Sequence, residues 1–214
     1  TDNHVVIPKG LKNASHMFMK GDFPTGLTIS GDTDTLESCE FMFYGADIYG
    51  RLTLDFDTSC VGDFVCMFKG TTMPEKVECG ENFVIGYANI AFMFEDAKFS
   101  LKTDLCYFKF SDSPFETNNM FEGAKFPAGY VLNLDTWLWK NFKEMFEGAV
   151  LPKGFMLGSK FVVSEDAVTE DMFLIRSPLD TAFFESPMDV VKMLKENKQK
   201  KSELPKVSDS KLSY

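Results

Sequence analysis

A Met-Phe dipeptide recurs seven times along the chain at nearly constant spacing, and this feature constrains the fold more than any other. The seven pairs begin at Met17, Met42, Met67, Met93, Met120, Met145 and Met172, so the intervals are 25, 25, 26, 27, 25 and 27 residues. An even period of this length is typical of repeat proteins, in which each copy is a unit that stacks on its neighbours. We therefore predict a single solenoid of about seven repeats over residues 1–185.

The segments that follow each Met-Phe pair repeat in phase with it. A small-residue step such as Gly45-Ala46 comes first, then a turn such as Phe126-Pro127-Ala128-Gly129, and then an alternating run such as Leu52-Thr53-Leu54. Pro fixes φ near −65° and Gly supplies the positive φ that closes a tight turn. Alternation of apolar and polar residues predicts a half-buried strand.

A polar corner such as Asp57-Thr58-Ser59 follows the strand and precedes the next Met-Phe pair. Phe64 lies three and four residues before Met67 and Phe68, and this spacing favours one face of a short helix. Asp, Ser and Thr are suited to cap the start of such a helix. The prediction is an α/β repeat solenoid, leucine-rich-repeat-like, with a parallel β-sheet on one face, short helical turns on the other and a Phe/Met ladder as the core.

The second repeat also carries a family resemblance. Residues 52–61 (LTLDFDTSCV) followed by residues 64–70 (FVCMFKG) resemble the repeat of the BspA-like leucine-rich-repeat proteins, in which a Leu-x-Leu strand, a Phe-Asp-Thr-Ser corner and a Met-Phe pair recur at this period. The resemblance covers about residues 7–185. It implies a leucine-rich-repeat-like solenoid of the kind found in bacterial and protozoan surface proteins that mediate attachment and protein binding.

Both ends of the array are predicted to be covered. Val5-Val6-Ile7-Pro8 reads as a leading half-repeat, and Ser186-Pro187 begins a predicted C-terminal capping helix over residues 186–198, with Ser as cap and Pro at the first helical position. Residues 199–214 are polar and Lys-rich, which predicts a flexible basic tail. No run of about 18 apolar residues occurs, so no membrane span is predicted. No secretory signal is recognised, so a cytoplasmic location is expected, with a cell-surface or secreted location, after removal of a signal, as the alternative.

Charge narrows the classes of partner. The net charge is −10, yet residues 195–214 carry six Lys against three acidic residues, so the rest of the chain is more acidic still. An acidic body argues against direct nucleic-acid binding, which needs clustered Lys and Arg. The expected function is non-catalytic binding of another protein, in adhesion or host-protein interaction. The alternative is an acidic inhibitor, in a virus-encoded member, that occupies a basic nucleic-acid-binding site of another protein.

Residues that could support catalysis or metal binding are sparse. The two histidines, His4 and His16, belong to none of the common catalytic motifs. Asp55 and Asp57 could form an acid/base pair or bind a divalent ion, but they lie in a polar corner where capping is expected. The five cysteines lack C-x-x-C spacing and are predicted to be reduced core residues. No enzyme activity, catalytic residue, metal or cofactor is predicted, and the oligomeric state stays open.

The partner-binding surface is predicted on the sheet. Strand-centre residues share one place in the repeat, point away from the core and form a ladder when the strands stack, while flanking aspartates add acidic character. The predicted partner-binding residues are Thr28, Thr53, Asp55, Glu78, Asn133 and Asp135. The alternative is that these are simply the polar outward half of half-buried strands.

Overall fold

The computed structural model describes residues 3–173, which wind into a parallel β-solenoid of about 6 turns. We number the turns as coils 1 to 6, and each coil begins at a Met-Phe pair, from Met17 in coil 1 to Met145 in coil 6. The seventh pair, Met172-Phe173, ends the described residues. The predicted capping helix and basic tail lie outside them.

Ten short strands are found in residues 3–173, and every pairing between them is parallel. They are β1 (Asn3–Val6), β2 (Asp22–Phe23), β3 (Leu27–Gly31), β4 (Asp47–Ile48), β5 (Arg51–Phe56), β6 (Lys76–Cys79), β7 (Val84–Ile85), β8 (Lys109–Phe110), β9 (Val131–Leu132) and β10 (Met156–Leu157). The largest sheet has the order β1-β3-β5-β6, and two-stranded sheets join β2 to β4, β7 to β8 and β9 to β10. Each coil therefore lies directly on the preceding one.

The phenylalanines of the Met-Phe pairs form the spine of the core. Their rings stack from Phe18 to Phe173 with centroids 5.0–5.3 Å apart and planes within 13° of parallel. The methionines of the five middle pairs are fully buried beside them. Aromatic pairs of this kind add about 0.5–1.5 kcal/mol beyond the burial of their area. The predicted Phe/Met ladder is confirmed.

The predicted short helices are absent from the described residues, where consecutive β-turns take their place. The Met67 amide donates to the carbonyl of Phe64, three residues earlier (3.1 Å), whereas the Phe68 amide donates to the Met93 carbonyl of the next coil (2.8 Å). The residue before each Met-Phe pair has φ between 50° and 60°: His16, Phe41, Cys66, Phe92, Asn119, Glu144 and Asp171. A left-handed residue cannot continue a right-handed helix. The prediction of a leucine-rich-repeat-like helical face was therefore wrong. The prediction of a repeat solenoid with a parallel sheet is confirmed.

The polar corners cap turns rather than helices. Thr33, Thr58 and Thr136 are buried, and their hydroxyls donate to carbonyls of the next coil at 2.7–2.8 Å. Asp57 and Asp135 each accept a hydrogen bond from the amide two residues ahead. The chain changes direction sharply at each corner, and such a turn leaves backbone amides and carbonyls without partners in the sheet. The corner side chains form hydrogen bonds with these backbone groups.

The cysteines are all free, but they do not all lie in the core. Cys39 and Cys66 are buried, and burial raises the pKa of the Cys39 thiol to about 12 and of the Cys66 thiol to about 11. Cys79 and Cys106 are half-buried, and Cys60 is exposed, so its prediction as a core residue was wrong. In the described part of the chain there is no helix with the length and apolar character needed to cross a membrane.

Candidate binding surface

The outward side of β1, β3, β5, β6, β9 and β10 forms one surface, which we call the sheet face. Thr28, Thr53 and Glu78 lie in register across β3, β5 and β6, as predicted. All three are half-buried and alternate with fully buried neighbours such as Leu52. The alternation arises because successive side chains of a strand point to opposite faces.

The charges on this part of the sheet face balance one another. The Glu78 carboxylate pairs with the Lys76 ammonium (2.5 Å) and the Arg51 guanidinium (3.4 Å). The hydrogen bond from Lys76, and then the nearby Arg51 charge, lower the pKa of Glu78. Asp55 is exposed on the same strand as Arg51. The first three coils therefore present a polar, nearly neutral surface rather than the acidic one predicted.

Asn133 does not share the place of Thr53, and this part of the prediction was wrong. The Gly158 amide donates to the Leu132 carbonyl (2.9 Å), just as the Gly80 amide donates to Leu54 (2.8 Å). Leu132 thus takes the place of Leu54 in the repeat, and Asn133 takes the place of Asp55.

The close approach of side chains to Gly80 and Gly158 confirms that Asn133 takes the place of Asp55. A Cβ added at Gly80 would lie 2.2 Å from Asp55 Oδ1, and one added at Gly158 would lie 2.1 Å from Asn133 Oδ1. Asp55 and Asn133 therefore each lean over a glycine of the next coil. Real Cβ contacts do not reach such distances, so both glycines make room for a polar side chain.

Val131 and Met156 occupy the place that Thr53 and Glu78 hold in earlier coils. They pair directly across β9 and β10 and are 37% and 51% exposed. The sheet face therefore changes from polar in coils 1–3 to apolar in coils 5 and 6. Sequence reasoning missed both residues because Leu132-Asn133-Leu134 imitates the earlier strand pattern, although counting from the Met-Phe pair would have found them.

Asp135 lies away from the sheet face, on the adjoining side of the solenoid. We call this side the corner flank; it comprises residues 57–59, 81–86, 109–112 and 135–138. A depression of about 190 Å³ there is lined by Phe110, Asp135, Trp137 and Leu138. A second depression, of about 310 Å³, is lined by Asp57, Ser59, Glu81, Asn82, Val84, Gly86 and Ser111. Because Phe110 and Ser111 are consecutive, the two depressions are neighbours.

A third side, which carries the Met-Phe turns, holds acidic residues that interact within the chain. Glu95 pairs with Lys69 at 2.7 Å. Asn119 Nδ2 donates to Glu122 (3.1 Å) and to Glu147 (3.2 Å). Among residues 3–173, no group of three or more His, Cys, Asp or Glu side chains is arranged to hold a metal ion.

Comparison with known proteins adds no relative. Neither a family model, nor a curated protein, nor a solved structure matches the chain.

Proposed function

We propose that the chain is a non-catalytic solenoid that binds another protein through its sheet face. The observation that supports this most is the exposed pair Val131 and Met156, which replaces polar residues at the same place in the repeat. Adjacent large apolar side chains on a surface are typical of protein interaction sites. The resemblance of the repeat to BspA-like surface proteins favours the same class of function, in adhesion or host-protein interaction.

The size of the sheet face indicates how a partner would use it. The six strands of the sheet face hold 23 residues in all. At about 3.3 Å per residue and about 4.8 Å between strands, they give an area on the order of 400 Å². A stable interface takes about 800 Å² from each partner. A partner would therefore cover both halves, with Val131 and Met156 as central apolar contacts and Thr28, Thr53, Asp55, Glu78 and Asn133 as the polar surround.

The acidic-inhibitor alternative has its own support in charge. Residues 3–173 carry 14 Lys and Arg against 25 Asp and Glu. An inhibitor that mimics nucleic acid by charge would lose most of its affinity between low and moderate ionic strength, because salt screens exposed charges. A contact made by apolar anchors would keep its affinity over that range.

Matched double variants test the sheet face. Val131→Arg with Met156→Arg adds two charges to it, and Met19→Arg with Val168→Arg adds two at comparably exposed apolar positions elsewhere, 43% and 49% exposed. Affinity capture from host extract, followed by a binding measurement on the purified partner, compares both with the original chain.

The expected result is at least a tenfold loss of affinity for the sheet-face variant alone, the consequence of about 1.4 kcal/mol. Thermal unfolding of all three chains checks that each is folded. Equal binding by both variants would refute the sheet face as the binding surface. A partner that both variants bind, but only at low salt, would favour the acidic inhibitor.

A further inference from the structure

We propose that Asn13 is an attachment site for an N-linked glycan. The residue lies outside the sheet face, so the inference does not depend on the proposed partner. Its basis is the motif that Asn13 begins, the exposure of its side chain, and the hydrogen bonds that place that side chain.

The motif is short but occurs once in the chain. Asn-x-Ser or Asn-x-Thr, with any residue except Pro in the middle, is the acceptor for N-linked glycosylation. Asn13-Ala14-Ser15 has this form. The chain holds nine asparagines, and the other eight lack Ser or Thr two residues further on. An N-linked glycan found on this chain would therefore be assigned to one residue.

The repeat shows which part of the Asn13 side chain the fold uses. Asn13, Asp63, Asn89 and Asn141 each lie four residues before the Met of a Met-Phe pair. The Oδ1 atom of each accepts a hydrogen bond from the amide two residues ahead, at 2.7–3.0 Å. Since Asp63 forms this bond as well as the asparagines do, the turn requires only the oxygen. The Nδ2 amide nitrogen, to which a glycan is attached, is not needed for it.

Asn13 differs from the other members of this group in its surroundings. It is exposed, whereas Asp63, Asn89 and Asn141 are half-buried. Asn141 Nδ2 donates to the Glu116 carboxylate (3.2 Å), but Asn13 Nδ2 forms no hydrogen bond with another of residues 3–173.

The middle residue of the motif anchors it to the core. Ala14 is 1% exposed, and its amide donates to the Ser38 carbonyl of the next coil (2.9 Å). The Ser15 hydroxyl lies 3.0 Å from that of Ser38. A bulky group on Asn13 Nδ2 would extend into solvent and displace no core side chain.

The transfer needs a co-reactant, a lipid-linked oligosaccharide diphosphate. A bond forms between Asn13 Nδ2 and C1 of the first sugar, and the bond from that carbon to the diphosphate oxygen breaks. Nδ2 loses one proton and the lipid diphosphate leaves. Because this chemistry belongs to the secretory pathway, the inference concerns the chain in its alternative location, at the cell surface or secreted.

Secretion of the full chain from cultured animal cells, behind a cleavable leader, tests the site. The chain made without the leader gives the unmodified reference mass. We expect the secreted chain to be heavier by one glycan, which peptide N-glycosidase removes. In heavy-oxygen water this enzyme converts the glycan-bearing asparagine to labelled aspartate, and peptide mapping should place the label at residue 13.

Four variants separate the motif from the turn. Asn13→Gln should lose the glycan, and so should Ser15→Ala, which keeps Asn13 and its turn. Ser15→Thr preserves the motif and should retain the glycan. Asn3→Gln is the matched control, because Asn3 is also exposed but lacks the motif, and it should be modified like the original chain.

The mass of each secreted chain decides the outcome. An original chain secreted at the reference mass would overturn the proposal. A glycan that persists in Asn13→Gln or Ser15→Ala would also overturn it, since the attachment would then lie elsewhere. Ser15→Thr and Ser15→Ala keep the Asn13 side chain, so the comparison between them stays decisive even if Asn13→Gln fails to fold.

Discussion

The left-handed residue before each Met-Phe pair leads to a prediction that separates the turn from the helix it resembles in sequence. Glu144 precedes Met145, has φ 53°, and its side chain is 29% exposed. We consider two substitutions there, Glu144→Gly and Glu144→Ala. Both remove the same carboxylate, so the difference between them isolates the backbone conformation.

The left-handed turn and the helix predict opposite orders of stability for the glycine and alanine variants. In the left-handed region alanine is disfavoured by about 1–2 kcal/mol relative to glycine, while glycine loses about 0.5–1 kcal/mol more in backbone entropy on folding. The Glu144→Gly variant should therefore be more stable than the Glu144→Ala variant by about 0.5–1 kcal/mol. In a helix the order would be reversed, with the alanine variant more stable by about 1 kcal/mol.

Guanidinium unfolding of the two variants measures this difference. Lys143 provides the control, because its φ is not positive and the adjacent position shares the same turn. There the alanine variant should be more stable than the glycine variant by about 0.5–1 kcal/mol. If alanine were also the more stabilising replacement for Glu144, the left-handed turn would be refuted.

Two further predictions concern the corners and the core. Thr136→Val should lower the free energy of unfolding in guanidinium by about 2–4 kcal/mol. The buried Thr136 hydroxyl accepts from the Val162 amide (2.7 Å) and donates to the Val162 carbonyl (2.8 Å), and both backbone groups would lose their partner. The half-buried sheet-face variant Thr28→Val should lose little, and equal losses in the two variants would contradict this reasoning. Burial raises the pKa of the Cys39 thiol from 9.0 to about 12, so its contribution to stability is fully present below about pH 9 and is lost as the pH rises towards 12. Thermal unfolding should therefore show a smaller alkaline loss in Cys39→Ala, and an unchanged slope would be inconsistent with it.

The features set by periodicity were predictable from the sequence. A repeated apolar residue in a stacked array faces the same neighbour in every coil, so the Met-Phe spacing alone implies the ring stack from Phe18 to Phe173. The register of Thr28 with Thr53 and Glu78 follows in the same way, because coils 1 and 2 are each 25 residues long from pair to pair.

The turns were mistaken for helices because both conformations bury residues at positions i, i+3 and i+4. The position before the pair carries Phe twice, Cys once and Glu once, and these types do not signal positive φ. His16, Asn119 and Asp171 are of types enriched at positive φ, but they occupy only three of the seven places. The position two residues after the Phe of each pair is also left-handed in coils 1 to 6, and four of these six positions did carry a signal, because they are Gly45, Gly70, Gly123 and Gly148. This small-residue step marked a second left-handed position of the turn.

The candidate site was harder to predict because equivalent places in different coils carry different chemistry. Leu52-Thr53-Leu54 begins ten residues after its Met, whereas Leu132-Asn133-Leu134 begins twelve after Met120. An offset of two residues preserves the alternation of inward and outward side chains, so the predicted burial of Leu132 and Leu134 is correct. The residue assigned to the outward place of the strand, however, is the wrong one. The backbone bond from Gly158 to Leu132 establishes the true register, in agreement with the count from the Met-Phe pair. Asp135 consequently lies with Asp57 on the corner flank, and the outward places of coils 5 and 6 are left to Val131 and Met156.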